Sequence, residues 1–595
     1  MLLGILFLIA TAFAGFVLAK KLSPENHFAF ASPLGILVST WVVFVVSLAI
    51  GFTPYSVALA SAITIAAVWV FHKKINVKKH FLEKNLLPLA ILALVFFAGM
   101  NYLMFHYDGG EVKGIRTDFG FHKSIIASLA NGNFPPENPL FAGIPLTYYY
   151  FLHLFSASLM VGGFSLQFAY ILPNVLLNAS LVLLLFILFR KMFPEITKKH
   201  RWLPYVAIAL FLFNGNFAFI PYLQQNPITA DNFGDFLKNP NFLYVRYYPN
   251  YAFETIVTST LLFQPTMAFG LALLAVILIG FWENQFNRAF LLPFLIPFNF
   301  FAFILGLAFF IALLTFDKRW KNKELLTTLA ITVVLSAIVL LGTGFLAKTN
   351  ALSFVRFKLG WMSPGQDLVS IILFWAKNLG IYLVLGAIGY KLAKPKVKKF
   401  FLASTPLFIL GNLFIFTPYE WDGMKLFLLF FAMLTAVASA GFMEIFKKKY
   451  RLVSLAVLVG LLTATLSLAT LMDSSNQTIY DFNDLAACRW FENAQKTAVT
   501  LTDGQHSCLF GILGRKVFLG DLEWIKNHGI TYKKQLEENN KMLAGDCDLI
   551  KKNKIDYIYL GGYLGRGAYV NETFLNEKTV IAFSQQGRTI YKTNC

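Results

Sequence analysis

What most limits the fold of this chain is a succession of apolar runs. Each is long enough to cross the roughly 30 Å of bilayer hydrocarbon, which takes about 17 to 25 helical residues. They lie at 2–19, 33–51, 55–71, 86–105, 168–189, 203–220, 263–282, 325–346, 368–390, 400–417, 426–446 and 452–471. A further run at 289–315 is too long for one crossing, contains Pro293, Pro297 and Asn299, and has basic residues at both ends. It reads as two short helices in a hairpin, which brings the expectation to fourteen crossings. Only 14% of the residues are charged, against about 25% in an average soluble protein. The fold class is therefore mostly α, with a polytopic helical membrane domain.

The net charge of +20 would suggest a nucleic-acid partner in a soluble chain. Sorted by position it is a topology signal instead. The loops holding Lys20/Lys21, Lys73–Lys84, Arg190–Arg201, Arg288, Lys318–Lys323, Lys391–Lys399 and Lys447–Arg451 carry 26 basic residues against 7 acidic ones. With fourteen crossings all seven fall on one side, the cytoplasmic side by the positive-inside rule. No nucleic-acid partner is expected. The apolar stretch Tyr148–Val161 is short and is followed by Gly162 and Gly163, so it reads as an interfacial helix on the outer side. The N-terminal run lacks a preceding basic segment and reads as a retained span. The expectation is a multi-pass plasma-membrane protein, surrounded by membrane lipids, with both termini outside.

Residues 1–471 read as the membrane domain with a large outer loop at 106–167, and 472–595 as a small extracytoplasmic α/β domain. In the latter, Ala498–Leu501, Lys516–Leu519 and Tyr557–Leu560 read as strands, Leu522–His528, Tyr532–Leu543 and Asp548–Asn553 as helices, and the residues around Gln586-Gly587 as a hairpin. All four cysteines, Cys488, Cys508, Cys547 and Cys595, lie here. Two disulfides in an oxidising exterior suit that placement, with three pairings open; free cysteines in a core are the other reading.

The outer loop is the densest polar region beside the membrane. Asp118 and His122 are four apart at the start of an amphipathic helix and so share a face. Such a pair can share a proton or hold a divalent ion, Mg or Mn. It reads equally as a helix-start Asp beside an exposed His. Glu137 lies in a Pro-rich turn with Pro135, Pro136 and Pro139, and Tyr148, Tyr149 and Tyr150 read on composition as an interfacial aromatic belt. Farther on, Asp422 and Lys425 sit at the outer mouth of a span, where a Lys can hold a phosphate or simply snorkel. Arg246 and Arg356 are further phosphate candidates. Lys377, about ten residues into the 368–390 run, is an intramembrane candidate because a charge there is costly.

Asp118-x-x-Phe121-His122, the run Gly132 to Pro139, Ala142 to Leu146 and the triplet Tyr148 to Tyr150 resemble the uncharacterised YYY-motif membrane protein family. More broadly they are similar to the GT-C superfamily of polyprenyl-phosphate-sugar-dependent glycosyltransferases. The resemblance is dense over 105–153 and returns at Gly514–Gly520 and Asp556–Gly561. It implies a polytopic helical domain, an acidic catalytic residue in the first outer loop, here Asp118 with His122 beside it, and a soluble outer domain. The stretch Trp421-Asp422-x-x-Lys425 resembles a pattern of several GT-C enzymes. An acidic, His-containing motif that the family carries before the span starting near 263 is replaced here by Ser259 to Thr266.

The reading is thus a glycosyltransferase that passes a sugar from a polyprenyl-phosphate-linked donor to a glycan, lipid or protein acceptor on the outer face. No Gly-rich loop for a nucleotide sugar is present in the sequence. The alternatives are a transporter or flippase for a lipid-linked or small substrate, and a glycan-binding membrane protein without turnover.

Overall fold

A computed structural model describes residues 1–595 except 73–85, 116–117, 228, 230, 232–249, 344–353 and 566. It is mostly helical, with its larger sheets in the outer loop and the C-terminal segment and a two-stranded one pairing Arg356–Phe357 with Phe414–Ile415. Among the described residues, seven helical stretches are long and apolar enough to cross a membrane alone: Leu2–Leu22, His27–Ile50, Leu86–Met104, Leu166–Met192, Pro265–Trp282, Lys323–Gly342 and Glu420–Phe446. Three other expected spans are shorter apolar helices, Pro54–Val70, Leu203–Leu212 and Phe300–Phe316. The protein is a multi-pass membrane protein.

The final pair of spans falls within one helical stretch, Met424–Ser474. It nevertheless doubles back. Phe431 packs on Phe211 at 6.3 Å, while Thr463 donates to the carbonyl of Asn216 at 2.7 Å. A straight helix would separate Phe431 from Thr463 by about 48 Å, whereas Phe211 and Asn216 are one turn apart. The fold-back lies between these two contacts, where the basic loop Lys447–Arg451 was expected.

The expected 289–315 hairpin is present in a modified form. Its first leg is a 3-10 turn, Phe286–Leu291, leading into the short helix Leu292–Leu295, and Asn299 caps the Phe300–Phe316 helix through the amide of Ala302. Its tip reaches the outer loop, where the Phe151 amide donates to the carbonyl of Pro297 at 3.1 Å.

Two expected spans are broken, and side chains explain the breaks. The 368–390 run bends by 89° at Gly380 into Leu368–Leu379 and Ile381–Leu392. In the last turn before the bend, the Asn378 side chain accepts from the amides of Ala252 and Phe253, both at 2.9 Å, and donates to the carbonyl of Asn250. The 203–220 run stops at Leu212, beyond which Asn214 accepts from the Ile256 amide at 2.7 Å and donates to the Glu254 carbonyl at 3.0 Å. Unwound backbone in an apolar setting persists only where such partners replace water. The 400–417 run is likewise split, into Pro395–Ala403 and Thr405–Gly411.

The basic loops gather on one face. Arg288 donates to the carbonyl of Leu22 at 2.8 Å, Lys191 pairs with Glu283 at 2.8 Å, Lys394 with Glu195 at 2.5 Å and Lys399 with Asp317 at 2.8 Å. The Lys73–Lys84 loop lies outside the described residues.

At the other end, a three-stranded antiparallel sheet joins Phe105–Asp108, Glu111–Gly114 and Thr478–Tyr480, tying the outer loop to the C-terminal segment. That segment holds a five-stranded mixed sheet ordered Thr579–Gln585, Arg588–Thr593, Ile555–Leu560, Val499–Thr502, Lys516–Val517. The hairpin turns at Gln586-Gly587. Cys488 bonds Cys508, and Cys547 bonds Cys595. Gly514, at φ +62°, lies so close to the Phe119–Ala130 helix that a Cβ would meet the Ser128 amide nitrogen at 2.1 Å.

Close helix packing gives a direct test. A Cβ on Gly389 would meet the Val437 carbonyl oxygen at 1.8 Å, whereas one on Gly342 would meet nothing. Gly389→Val is expected to cost about 3 kcal/mol by overpacking and Gly342→Val under about 1 kcal/mol, read as thermal unfolding in nanodiscs.

Candidate functional site

The site forms where the outer loop meets the mouths of two membrane helices. Asp118 precedes the Phe119–Ala130 helix, and its carbonyl accepts the first helical bond from the His122 amide at 3.0 Å. The two side chains part from there. His122 is buried at 1% exposure, while Asp118 stays half-buried. The Asp118 carboxylate acts electrostatically on the Tyr148 and Tyr170 hydroxyls and on the Lys425 ammonium.

His122 Nδ1 lies 2.8 Å from His153 Nε2, and His122 also hydrogen-bonds the backbone of Phe263. A backbone carbonyl accepts, so His122 gives its single N–H to Phe263; Nδ1 then accepts, and His153 Nε2–H is the donor. This leaves His153 Nδ1 as a buried lone pair without a hydrogen-bond partner. Burial holds the His122 imidazole well below its ordinary pKa, with His153, His528 and Lys425 adding to the shift. His122 is neutral at physiological pH.

Lys425 stands at the start of the helix following the Glu420–Gly423 turn. Its Nζ pairs with Asp422 at 2.7 Å and lies 5.2 Å from the ring centroid of Phe301, at the tip of the hairpin. The Asp118 carboxylate contributes further negative charge around it. Tyr148 packs on Tyr149 with ring centroids 4.0 Å apart, and desolvation pushes its hydroxyl well above the ordinary phenol value. Tyr148 and Tyr149 thus line the site and do not form a surface belt. Phe263 belongs to the Ser259–Thr266 segment that leads into the Pro265–Trp282 span.

The C-terminal segment closes one side. His528 stacks on Phe121 at 4.6 Å, meets Tyr148 edge-on at 5.4 Å, and is fixed by its Nδ1, 2.6 Å from the Trp524 carbonyl. Burial lowers its pKa as well. On the same loop helix Lys123 is 1% exposed, its Nζ 3.5 Å from the Phe105 ring centroid, and burial lowers its ammonium pKa to about 7.

Other sequence candidates lie elsewhere. Glu137 pairs with Lys516 at 3.0 Å and bridges Pro145, latching the loop to the C-terminal sheet. Tyr150 packs its ring on Phe151 as that helix begins. Arg356 pairs with Glu420, as does Lys358 at 2.6 Å, so both cations are already matched. Lys377 sits in the last turn of Leu368–Leu379, next to the bend, rather than within a straight span. Arg246 lies outside the described residues.

A metal held by Asp118 and His122 does not fit this arrangement. Both His122 nitrogens are engaged by protein groups, leaving no lone pair for an ion. Among the described residues no group of three or more His, Cys, Asp or Glu could hold a metal. Sequence reading missed His153 and His528. His153 follows the tyrosine triplet inside an apolar helix, and His528 sits in a separate segment, so neither carries a spacing signal.

Residues 36–241 match a family described as an uncharacterized membrane protein family, DUF2298. No curated protein matches the chain. The fold is similar to the crystal structure of an Archaeoglobus fulgidus oligosaccharyltransferase in complex with Zn and sulfate, at 14% identity and a TM-score of 0.40, covering 78% of this chain and 67% of that one. It is also similar to the archaeal oligosaccharyltransferase AglB from Archaeoglobus fulgidus in complex with an inhibitory peptide and a dolichol-phosphate, at 11% identity and a TM-score of 0.37, covering 79% and 69%.

The neutral histidines set a pH dependence. His122 and His528 have folded pKa values below the ordinary 6.5, so below that pH the unfolded chain binds protons that the folded one refuses. The histidine contribution to stability is therefore constant above pH 6.5 and falls as pH drops beneath it, by up to about 1.4 kcal/mol per pH unit for each such histidine. Thermal unfolding from about pH 7.5 to about pH 5 is expected to show this decline, with a shallower slope in His528→Asn.

Proposed function

We propose that the chain is a membrane glycosyltransferase whose site lies on the face opposite the basic loops. The donor is a polyprenyl-phosphate-linked sugar and the acceptor a hydroxyl of a glycan, lipid or protein. The observation that carries this reading is that the Asp118 carboxylate adds to the negative charge around the Lys425–Asp422 pair, beside half-buried Tyr148 and buried Tyr149. It supports a proton acceptor and an anion-binding cation acting at one locus.

In this mechanism the acceptor oxygen attacks the anomeric carbon, the bond from that carbon to the phosphate oxygen breaks, and the hydroxyl proton passes to Asp118. Negative charge grows on the departing phosphate, where Lys425, aimed by Asp422, stabilises it. Such leaving-group stabilisation is commonly a large catalytic contribution, and a positioned base adds about 10²- to 10⁴-fold. The chain's own groups supply each step, and none passes through a metal.

The reading extends to topology and organisation. The site faces the exterior of the plasma membrane, with both termini on that side. Residues 1–471 form the catalytic membrane domain, and 472–595 form a soluble domain that contributes His528. Cys488–Cys508 and Cys547–Cys595 suit an oxidising exterior.

A transporter or flippase is the second reading, favoured by the 89° bend at Gly380, since broken helices frame transport sites. Asp118→Asn separates the two. Transfer from a radiolabelled polyprenyl-phosphate sugar in proteoliposomes is expected to fall at least about 100-fold while the Lys425–Asp422 pair persists. Undiminished transfer overturns the role of Asp118; lipid translocation without sugar transfer by the wild type overturns the enzyme reading.

A further inference from the structure

The Leu368–Leu379 helix lies at 89° to Ile381–Leu392. Ile381–Leu392 runs along the Glu420–Phe446 crossing, with Gly386 against Leu434 and Gly389 against Val437. A helix perpendicular to that pair runs along the membrane plane. Its depth follows from its contacts: Trp375 packs on Phe427 at 5.1 Å, and Tyr382, just past the bend, on Phe431 at 5.2 Å. Phe427 and Phe431 are about 3 and 9 Å along the helix from Lys425, which puts Leu368–Leu379 at the headgroup–acyl boundary of the Lys425 side.

One face of this helix packs inward through Phe374, Trp375 and Asn378, while the other leaves Leu368 at 72%, Val369 at 65%, Ile372 at 57% and Leu373 at 54% exposure. Exposed Ile409 and, on the adjoining strand, Phe357 extend this apolar surface toward the membrane-facing sides of the neighbouring helices. The surface is tied to the Lys425 turn. Trp375 donates to Asn412 at 2.7 Å, Trp361 donates to the Glu420 carbonyl at 2.8 Å, and Lys358 on the strand side holds the Glu420 carboxylate.

We infer that Leu368–Leu379 is an in-plane membrane helix whose Leu368, Val369, Ile372 and Leu373 face is occupied by acyl chains of the outer leaflet. It forms the sill over which the apolar tail of a lipid-linked substrate reaches Lys425. Amphipathic helices of this kind bury their apolar face about 5–10 Å into the boundary region. The lipid-facing placement is independent of the glycosyltransferase reading; the role as a substrate sill rests on it.

The described cysteines are all disulfide-bonded, so a single added cysteine can be labelled selectively. Nitroxides at Leu368→Cys, Ile372→Cys and Leu373→Cys in the full chain, reconstituted in nanodiscs of phosphatidylcholine and phosphatidylglycerol, are read by collision with oxygen and with a water-soluble nickel chelate. The expected result is oxygen-dominated collision at one shared, shallow depth. Nickel-dominated collision overturns the inference, as does a depth that climbs by about 1.5 Å per residue, which is a crossing helix. Shielding from both reagents also overturns it, indicating a second copy of the chain on this face. The sill is read separately: Leu373→Asp is expected to raise the KM for a long-chain polyprenyl-phosphate sugar at least tenfold, with little change for a short-chain analogue. An equal effect on both overturns the sill alone. If wild type transfers no sugar, the glycosyltransferase reading fails and takes the sill with it, while the collision result still decides the helix placement.

Discussion

The short irregular segment Asn250–Ile256 is the point on which the rest of the structure depends. It runs buried through an apolar surround, where an unmet amide or carbonyl costs several kcal/mol. Its polar groups are met by side chains from three directions: Asn378 at the Gly380 bend, Asn214 and Asn216 after the Leu203–Leu212 helix, and Trp421, which donates to the Ala252 carbonyl at 3.0 Å. Two broken helices and the turn that carries Lys425 are thereby referred to a common strut. The strut leads directly into the Val257–Leu262 π-helix and on to Phe263, whose backbone receives His122. Single-turn π-helical segments recur at functional sites.

From that strut the electrostatics of the site follow. Lys425 is buried and ion-paired with Asp422, so its charge is retained at the membrane boundary. The imidazoles around it are kept neutral by burial, and Asp118 is the carboxylate on the far side. A buried ion pair is weak evidence for stability, because desolvation offsets much of its attraction. Its value here is positional: it aims a cation into a locus bordered by phenols and a carboxylate. Helical elements hold the membrane side of this locus, and the C-terminal segment covers it by docking Gly514 and His528 on the loop helix.

Much of this was legible in the sequence, and the reason is period and punctuation. Long apolar runs, loop charges and turn residues act locally, so the spans, the gathering of five basic loops on one face, and the Gln586-Gly587 hairpin could be read before any contact was known. Asp118, His122 and Lys425 were also legible, through motif spacing. The bend at Gly380 was not, because an apolar run of ordinary length gives no sign that the Asn378 side chain will meet Ala252 and Phe253. Nor were the engagement of both His122 nitrogens and the packing of Tyr148 legible, since they depend on His153, Phe263 and His528 arriving from other parts of the chain.

The sequence by itself determined that this is a multi-pass helical protein with a small mixed-sheet segment bearing all its cysteines, because hydrophobic period and composition are one-dimensional properties. Only the tertiary structure decided which cysteines pair, which expected spans break, which cations are already neutralised by Glu420, and which side chains surround Lys425. Each of those is a question of which partner a buried polar group finds. Partners distant along the chain become neighbours only when the helices pack.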